Sequence, residues 1–258
     1  MTWDPQQYGR YADERSRPFF ELTARIDIAA PHRVVDLGCG PGSLTASLAE
    51  RWPNALVTGV DSSVDMIRAA ADHAIAGRIE FVHASIADWQ PADPVDVVVA
   101  NAALQWVPGH IDLLARFAGW LHDGGALAFQ VPDNFTEPSH TLLRDLRLSS
   151  QWRDKLGEGA DRTVGVERPE RYLDGLVAAG LAPDVWQTSY LHILHGDDPV
   201  LEWVKGTALR PVLSLLDASD SERFVGEYAQ LLREAYPRQP WGATLFPFRR
   251  TFAVGHKR

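Results

Sequence analysis

The residues best arranged for chemistry are three alternate glycines, Gly38, Gly40 and Gly42, with Asp36 just before them and Asp61 closing the next apolar run. Alternate glycines strip side chains from one stretch of backbone, so a ligand can lie against amide groups with no Cβ between. The helix expected from Ser43 aims its unpaired N–H groups and the positive end of its dipole at the same turn, which favours a carboxylate even without phosphate. Asp36 adds a negative charge on the side where an amino group would sit. Asp61 ends the second strand, where two oxygens can accept a pair of ribose hydroxyls. A dinucleotide fingerprint needs a third glycine at the position that Ser43 occupies. The methionine end of S-adenosylmethionine, a compact zwitterion, therefore fits the pattern better than the pyrophosphate of NAD. A glycine corner that merely joins strand to helix is the alternative.

The ends of the later strands add candidates. Met66, in the helix after Asp61, is placed to lie on an adenine face, although taken without the rest of the site it reads first as core packing, and Asp61 itself can serve as a helix cap. The third strand ends in His83-Ala84-Ser85-Ile86, where a polar side chain and a backbone N–H can read the adenine edge. The fourth ends at Asn101, with Gln105 and Trp106 shortly after.

Strands at 33–37, 56–60, 79–83, 95–101 and 125–131 alternate with helices at 43–52, 63–75 and 111–121, the order of a parallel sheet with crossover helices. Gly124-Gly125 reads as the stop of the last of these helices. A further helix precedes the first strand, with Pro18 at its first position and Phe19, Leu22 and Ile26 at helical spacing. Beyond 133 a polar stretch leads to a helix at 169–179, and strands are expected at 185–194 and 246–254. Two amphipathic helices between 197 and 240 would separate those strands. The reading is one domain, 1–258, of α/β class.

The chain has 258 residues, 45% of them hydrophobic, enough for one large core. Lys and Arg total 25 against 34 Asp and Glu, for a net charge of −9, and no basic run tracks a phosphate backbone, which argues against nucleic acid. No apolar stretch is long enough to cross a bilayer and no leader is evident, so the expectation is a cytoplasmic protein with no membrane association. The single cysteine, Cys39, has no histidine partner in sequence and reads as packing. No metal-ligand cluster is found, and no obligate protein partner is evident.

Val34 to Gly42, Asp61 with Ser62, Ser85-Ile86, and Asn101 with Gln105 resemble the successive cofactor-contact motifs of class I S-adenosylmethionine-dependent methyltransferases. The opening Trp3-Asp4-Pro5 with Tyr8, Tyr11 and Glu14-Arg15, then Arg17-Pro18, resembles the trans-aconitate 2-methyltransferase family. So do Asn101–Pro108, Gln130–Asn134, Glu202–Thr207 with Leu209-Arg210-Pro211, and Phe246–Arg250. Where that family usually has an aspartate for the adenine amino group, this chain has Ser85, which can accept the bond without charge assistance.

The resemblance implies a Rossmann-like seven-stranded sheet, mostly parallel with an antiparallel C-terminal strand. It also implies an N-terminal segment (1–30) and a helical insertion (197–240) that form a lid. The implied cofactor is S-adenosyl-L-methionine (contacts Asp36, Gly38, Gly40, Gly42, Asp61, Ser62, Met66, Ser85, Ile86, Asn101 and Gln105), and the implied acceptor is a small polycarboxylate, trans-aconitate. Methyl transfer to a carboxylate oxygen needs no general base, because that oxygen is ionised and nucleophilic at neutral pH, and no metal. Catalytic residues are then positioning residues.

Arginines suit a polycarboxylate, since the guanidinium takes a carboxylate in two parallel bonds. Those inside the family signatures are Arg15, Arg17, Arg168, Arg210, Arg249 and Arg250. Of the neighbours Arg249 and Arg250 on a final strand, at most one faces a given pocket. The expected acceptor contacts are Arg15, Arg168, Arg210 and Arg250, with Tyr8, Tyr11 and Trp106 closing the cleft. A methyltransferase for another small acid or hydroxylated metabolite, or a non-catalytic S-adenosylmethionine-binding protein, would share the cofactor motifs.

Overall fold

A computed structural model describes residues 12–156, 165–206 and 208–258, with side chains from residue 16 onward. Short β-branched runs make the strands of one half: β1 Arg33–Leu37, β2 Leu56–Asp61, β3 Ile79–His83 and β4 Val95–Asn101. All four are parallel to their neighbours, and β4 is parallel to β5, Leu121–Pro132. Val97, Val98 and Val99 are all buried, as expected of a strand covered on both faces. The crossovers carry α2 (Ser43–Arg51), α3 (Val64–Ala70) and α4 (His110–Gly119), and α1 (Ala12–Ala24) precedes β1. Later come α5 (Pro138–Leu148), α6 (Arg153–Leu156), α7 (Pro169–Ala178), β6 (Leu181–Leu194), α8 (Pro199–Lys205), α9 (Arg210–Leu213), α10 (Ala218–Ala235) and β7 (Thr244–Lys257). The sheet has seven strands in the order β3-β2-β1-β4-β5-β7-β6, and β7 runs antiparallel to β5. This is the expected Rossmann-like architecture with its antiparallel C-terminal strand.

Several local expectations need correction. Pro18 lies inside α1, not at its start; burial of Phe19, Leu22 and Ile26 holds the helix across the lost hydrogen bond. Gly124-Gly125 does not stop α4, which ends at Gly119. Both glycines lie within β5, where the pairing jumps from Val95↔Leu121 to Val97↔Ala126, and the irregularity uses Gly124 at φ +80°. The polar stretch after 133, to which the sequence reading assigns no element, contains α5 and α6, and α5 starts with Pro138 at its first turn. Among its described residues the segment 197–240 holds three helices, not two.

The described residues form two compact units. One comprises the residues up to Pro132, those from 165 to Thr188, and Arg250–Arg258. Its core joins Val35, Leu37, Val98, Leu114, Phe117, Phe129 and Tyr172. The other comprises the residues from Asp133 to 156 and Ser189–Arg249, and the segment 197–240 lies within it. Its interior is aromatic: Trp152 meets Phe224 edge-on at 5.1 Å, and Trp203 packs against Phe246 and Phe248. Tyr236 accepts the Ser139 N–H at 3.0 Å and Tyr228 donates to the Ser139 carbonyl, which ties the start of α5 to α10. Among the described residues no helix is long and apolar enough to cross a membrane.

Candidate active site

The first unit carries the glycine turn at the carboxyl ends of its parallel strands. Gly38, Gly40 and Gly42 have φ of +76°, +55° and +87°, the left-handed region open to glycine. Their surroundings differ. A Cβ on Gly38 would stand 2.3 Å from Cβ of Ala103, and one on Gly42 would stand 2.8 Å from Phe81 and 2.9 Å from Ala70. These two glycines let the turn press against the loop after β4 and against α3. At Gly40 a Cβ would meet nothing within 4 Å, so the middle of the turn offers bare backbone to open space.

Two aspartates brace this turn. Asp36 is buried, and the Thr45 hydroxyl in the first turn of α2 donates to its Oδ2 at 2.6 Å. Burial pushes its pKa up to about 6; the Thr45 hydrogen bond opposes that rise and the nearby Asp61 charge adds to it. At neutral pH it is a largely ionised carboxylate held in a dry place. Asp61 uses both oxygens on backbone: Oδ2 accepts from Gly40 N at 2.9 Å and Oδ1 from Ser63 N at 2.8 Å. The N-cap of α3 is Ser63, whose hydroxyl accepts from Met66 N at 3.4 Å. Each Asp61 oxygen keeps a lone pair for a further donor. Ser62 is exposed beside it, and Met66 is buried at 4% exposure. The Cys39 thiol is buried, which raises its pKa far above the thiolate range, in keeping with a packing role.

The loop after β3 is shaped by Ser85 and by Arg116, which sequence reasoning missed. Ser85 Oγ accepts the Ala87 N–H at 3.1 Å, and Arg116 from α4 donates to the Ile86 and Ala87 carbonyls. Ile86 packs into the core. Past β4, Ala102 is the one non-glycine among the described residues with positive φ, at 52°. Gln130 O accepts its N–H at 3.0 Å and Gln105 Nε2 donates to its carbonyl at 2.7 Å, so the unfavourable conformation is held from both sides. Gln105 is 4% exposed, and its Oε1 is buried with no partner among the described residues. A buried acceptor left open on the loop that packs against the glycine turn is costly unless a ligand supplies the donor.

The expected acceptor residues fare differently. Tyr8 and Tyr11 lie outside the described residues, as does the side chain of Arg15. Trp106 is exposed just beyond Gln105. Arg168 is exposed before α7. Next to it the Glu167 N–H donates to the Tyr172 hydroxyl at 3.1 Å, and that hydroxyl pairs with Nε2 of buried His110 at 2.8 Å. Burial lowers the His110 pKa and keeps the ring neutral, so Nδ1 donates to the Val107 carbonyl and Nε2 accepts from Tyr172. Arg210 opens the short helix α9 in the second unit. Arg17 pairs with Glu21 at 2.7 Å.

Arg249 and Arg250 part as strand alternation requires. Arg249 binds the Asp133 carbonyl and carboxylate, at 3.0 and 3.3 Å. Arg250, opposite Pro132 in β5, is 4% exposed and is the one buried arginine among the described residues. Its Nη1 donates to Gln130 Oε1 at 3.3 Å, and Gln130 Nε2 donates to Asn101 Oδ1 at 2.8 Å. A lone glutamine in the apolar run Ala126–Val131 was the signal for this partner.

A methyltransferase-domain family model matches residues 34–125, from β1 into β5. Among solved structures, the chain is similar to the YcgJ protein of Bacillus subtilis (TM-score 0.62, 16% identity, 93% of this chain and 97% of that one). It is also similar to the plantazolicin methyltransferase BpumL in complex with SAH (TM-score 0.55, 14% identity, 98% and 90%). At these identities the likeness concerns the fold. Relatives in sequence go further: trans-aconitate 2-methyltransferases of Streptomyces avermitilis (53% identity over 99% of this chain and 97% of the relative) and Rhodococcus jostii (50% over 98% of each). Identity of about one residue in two over at least 98% of the chain goes beyond a shared fold: the chain belongs to the trans-aconitate 2-methyltransferase family.

Proposed function

We propose that this protein transfers a methyl group from S-adenosylmethionine to a carboxylate oxygen of trans-aconitate, giving a monomethyl ester and S-adenosylhomocysteine. The observation that carries the reading is the pairing of a bare-backbone turn at Gly40 with a buried arginine, Arg250, linked to the end of β4 in the same unit. S-adenosylmethionine supplies an activated methyl on a sulfonium, which an ionised carboxylate oxygen can take with no proton to move. The chain's own residues then bind, orient and exclude water.

In this reading the glycine turn and the N-terminus of α2 receive the cofactor's carboxylate, and Asp36 balances its ammonium. Asp61 has lone pairs left for ribose hydroxyls while it fixes the turn through Gly40 N. Ser62, Met66, Ser85 and Ile86 surround the adenosine, Ser85 as an uncharged acceptor for the adenine amino group. Asn101 and Gln105 present amide groups at the end of β4, where Gln105 Oε1 awaits a donor. On the acceptor side Arg250 is the principal carboxylate partner, with Arg168, Arg15, Trp106, Tyr8 and Tyr11 as further contacts. A buried guanidinium is the group that makes a tricarboxylate welcome on a chain of net charge −9.

S-adenosylhomocysteine production with trans-aconitate, compared with cis-aconitate, citrate, isocitrate and no acceptor, tests this function. Turnover selective for trans-aconitate is the expected result. Cofactor binding without methylation of any of these acids would leave the cofactor site standing and reject the acceptor.

A further inference from the structure

We infer that Gln130 is a positioning residue through which Arg250 dictates which way the Asn101 side-chain amide faces, so that the acceptor-side charge and a cofactor-side hydrogen-bonding group are set by one relay. The inference rests on the acceptor and cofactor roles proposed above, and its first step rests on chemistry alone. A guanidinium carries only donors. Arg250 Nη1, 3.3 Å from the Gln130 side chain, must therefore meet its oxygen, which turns the Gln130 NH2 toward Asn101. At 2.8 Å that NH2 must meet an acceptor, so Asn101 presents Oδ1 to Gln130 and is left with the two N–H donors of Nδ2 for a ligand.

The strands enforce the chain of contacts. Asn101 is the register partner of Gln130 between β4 and β5, and Arg250 lies opposite Pro132, two residues along and hence on the Gln130 side of the sheet. Gln130 is fully buried and Arg250 nearly so, so water cannot substitute for a missing partner. Flipping one amide would set donor against donor or acceptor against acceptor in a dry site.

The test is calorimetric binding of S-adenosylhomocysteine to the full chain, with kcat and KM for trans-aconitate and thermal unfolding measured beside it. Gln130→Glu keeps an oxygen for Arg250, which holds the new carboxylate ionised, but it offers Asn101 no donor. Asn101 must then turn Nδ2 inward and show Oδ1 to the ligand. The expected result is about tenfold weaker S-adenosylhomocysteine binding with no loss of thermal stability. Arg250→Met, although on the acceptor side, should also weaken S-adenosylhomocysteine about threefold by freeing the Gln130 amide to flip. Combining Arg250→Met with Gln130→Met should weaken it no further than Gln130→Met does alone.

Unchanged binding in Gln130→Glu, or fully additive losses in the double variant, would overturn the relay even if wild-type turnover with trans-aconitate is robust. Coupled losses in binding from a protein that methylates none of the acids tried would instead uphold the relay and reject the acceptor assignment. Gln130→Glu decides the matter alone if the methionine variants fail to fold.

Discussion

At the amino ends of β1 and β4, Arg33 pairs with Asp93 at 2.9 Å while both side chains stay about half exposed, and Asp96 Oδ2 accepts the backbone N–H groups of His32 and Arg33. Toward the carboxyl ends of the parallel strands, Asp36 of β1, Gln105 just past β4, Gln130 of β5 and, opposite the end of β5, Arg250 of β7 are all buried, and Gln105 leaves an acceptor open. The first set does what exposed polar groups ordinarily do, satisfying strand ends at little gain or cost. The second set costs stability, because charges and amides are taken out of water, and at Gln105 one acceptor has no partner among the described residues to offset that cost. Polar groups held at such a cost at one end, and not at the other, mark where a ligand completes the structure.

Substitutions at the two ends should therefore differ in kind. The largest effect is expected from Gly38→Ala, where a methyl 2.3 Å from Ala103 adds overpacking to a strained backbone at φ +76°. Denaturant unfolding should show a loss of about 4 kcal/mol, and a loss under about 1 kcal/mol would mean that the loop after β4 is not pressed on the turn. Arg250→Met should cost about 3 kcal/mol of acceptor binding, read as KM or a direct binding constant, if the buried guanidinium is the carboxylate partner proposed above. If the acceptor constants stay at wild-type values, Arg250 belongs to the fold and not to the acceptor.

Asp36→Asn should move stability and binding in opposite directions. The folded pKa, about 6, lies above the unfolded value near 3.8, so the folded state binds the proton more tightly and wild-type stability falls as pH rises from about 4 to 6. Above that window the asparagine variant should be the more stable by up to about 3 kcal/mol, and the advantage should vanish below pH 4. Cofactor affinity should drop in the same variant, and in the wild type it should decline as pH falls through 6. Melting curves across that range, with S-adenosylhomocysteine titrations at each pH, check both signs.

Gly40→Ala should cost only about 1 kcal/mol, from backbone conformation alone, since no atom lies near the added methyl, yet it should abolish most S-adenosylhomocysteine binding. Equal losses of stability in Gly38→Ala and Gly40→Ala would erase the distinction between a glycine that serves packing and one that serves a ligand. Smallest of all, Arg33→Ala at the amino end should change stability and both binding constants by under about 0.5 kcal/mol.

Elements with a local signature were legible in the sequence to within a few residues. The valine-rich strands β1 to β4, the glycine turn and the acid closing β2 are contiguous patterns, and each reports a local conformation. Gly124-Gly125 misled because a glycine pair signals irregular backbone without saying whether a helix or a strand must absorb it; pairing with β4 decided for a strand. Pro18 misled in the same way, since the burial of its neighbours outweighs its local preference.

The sequence alone determined the class of ligand surface, because a turn that needs left-handed glycines beside a helix start and an acid is written within nine residues, with its brace Asp61 ending the next strand. It could narrow the arginines to a set but not choose among them. The tertiary structure decided which of them is buried: residues 120 apart in the chain, Arg250 and Gln130, meet only because β7 runs antiparallel against β5. Adjacent Arg249 turns instead to Asp133. Strand alternation says that neighbours must point apart, and only the packed sheet says which of the two is buried.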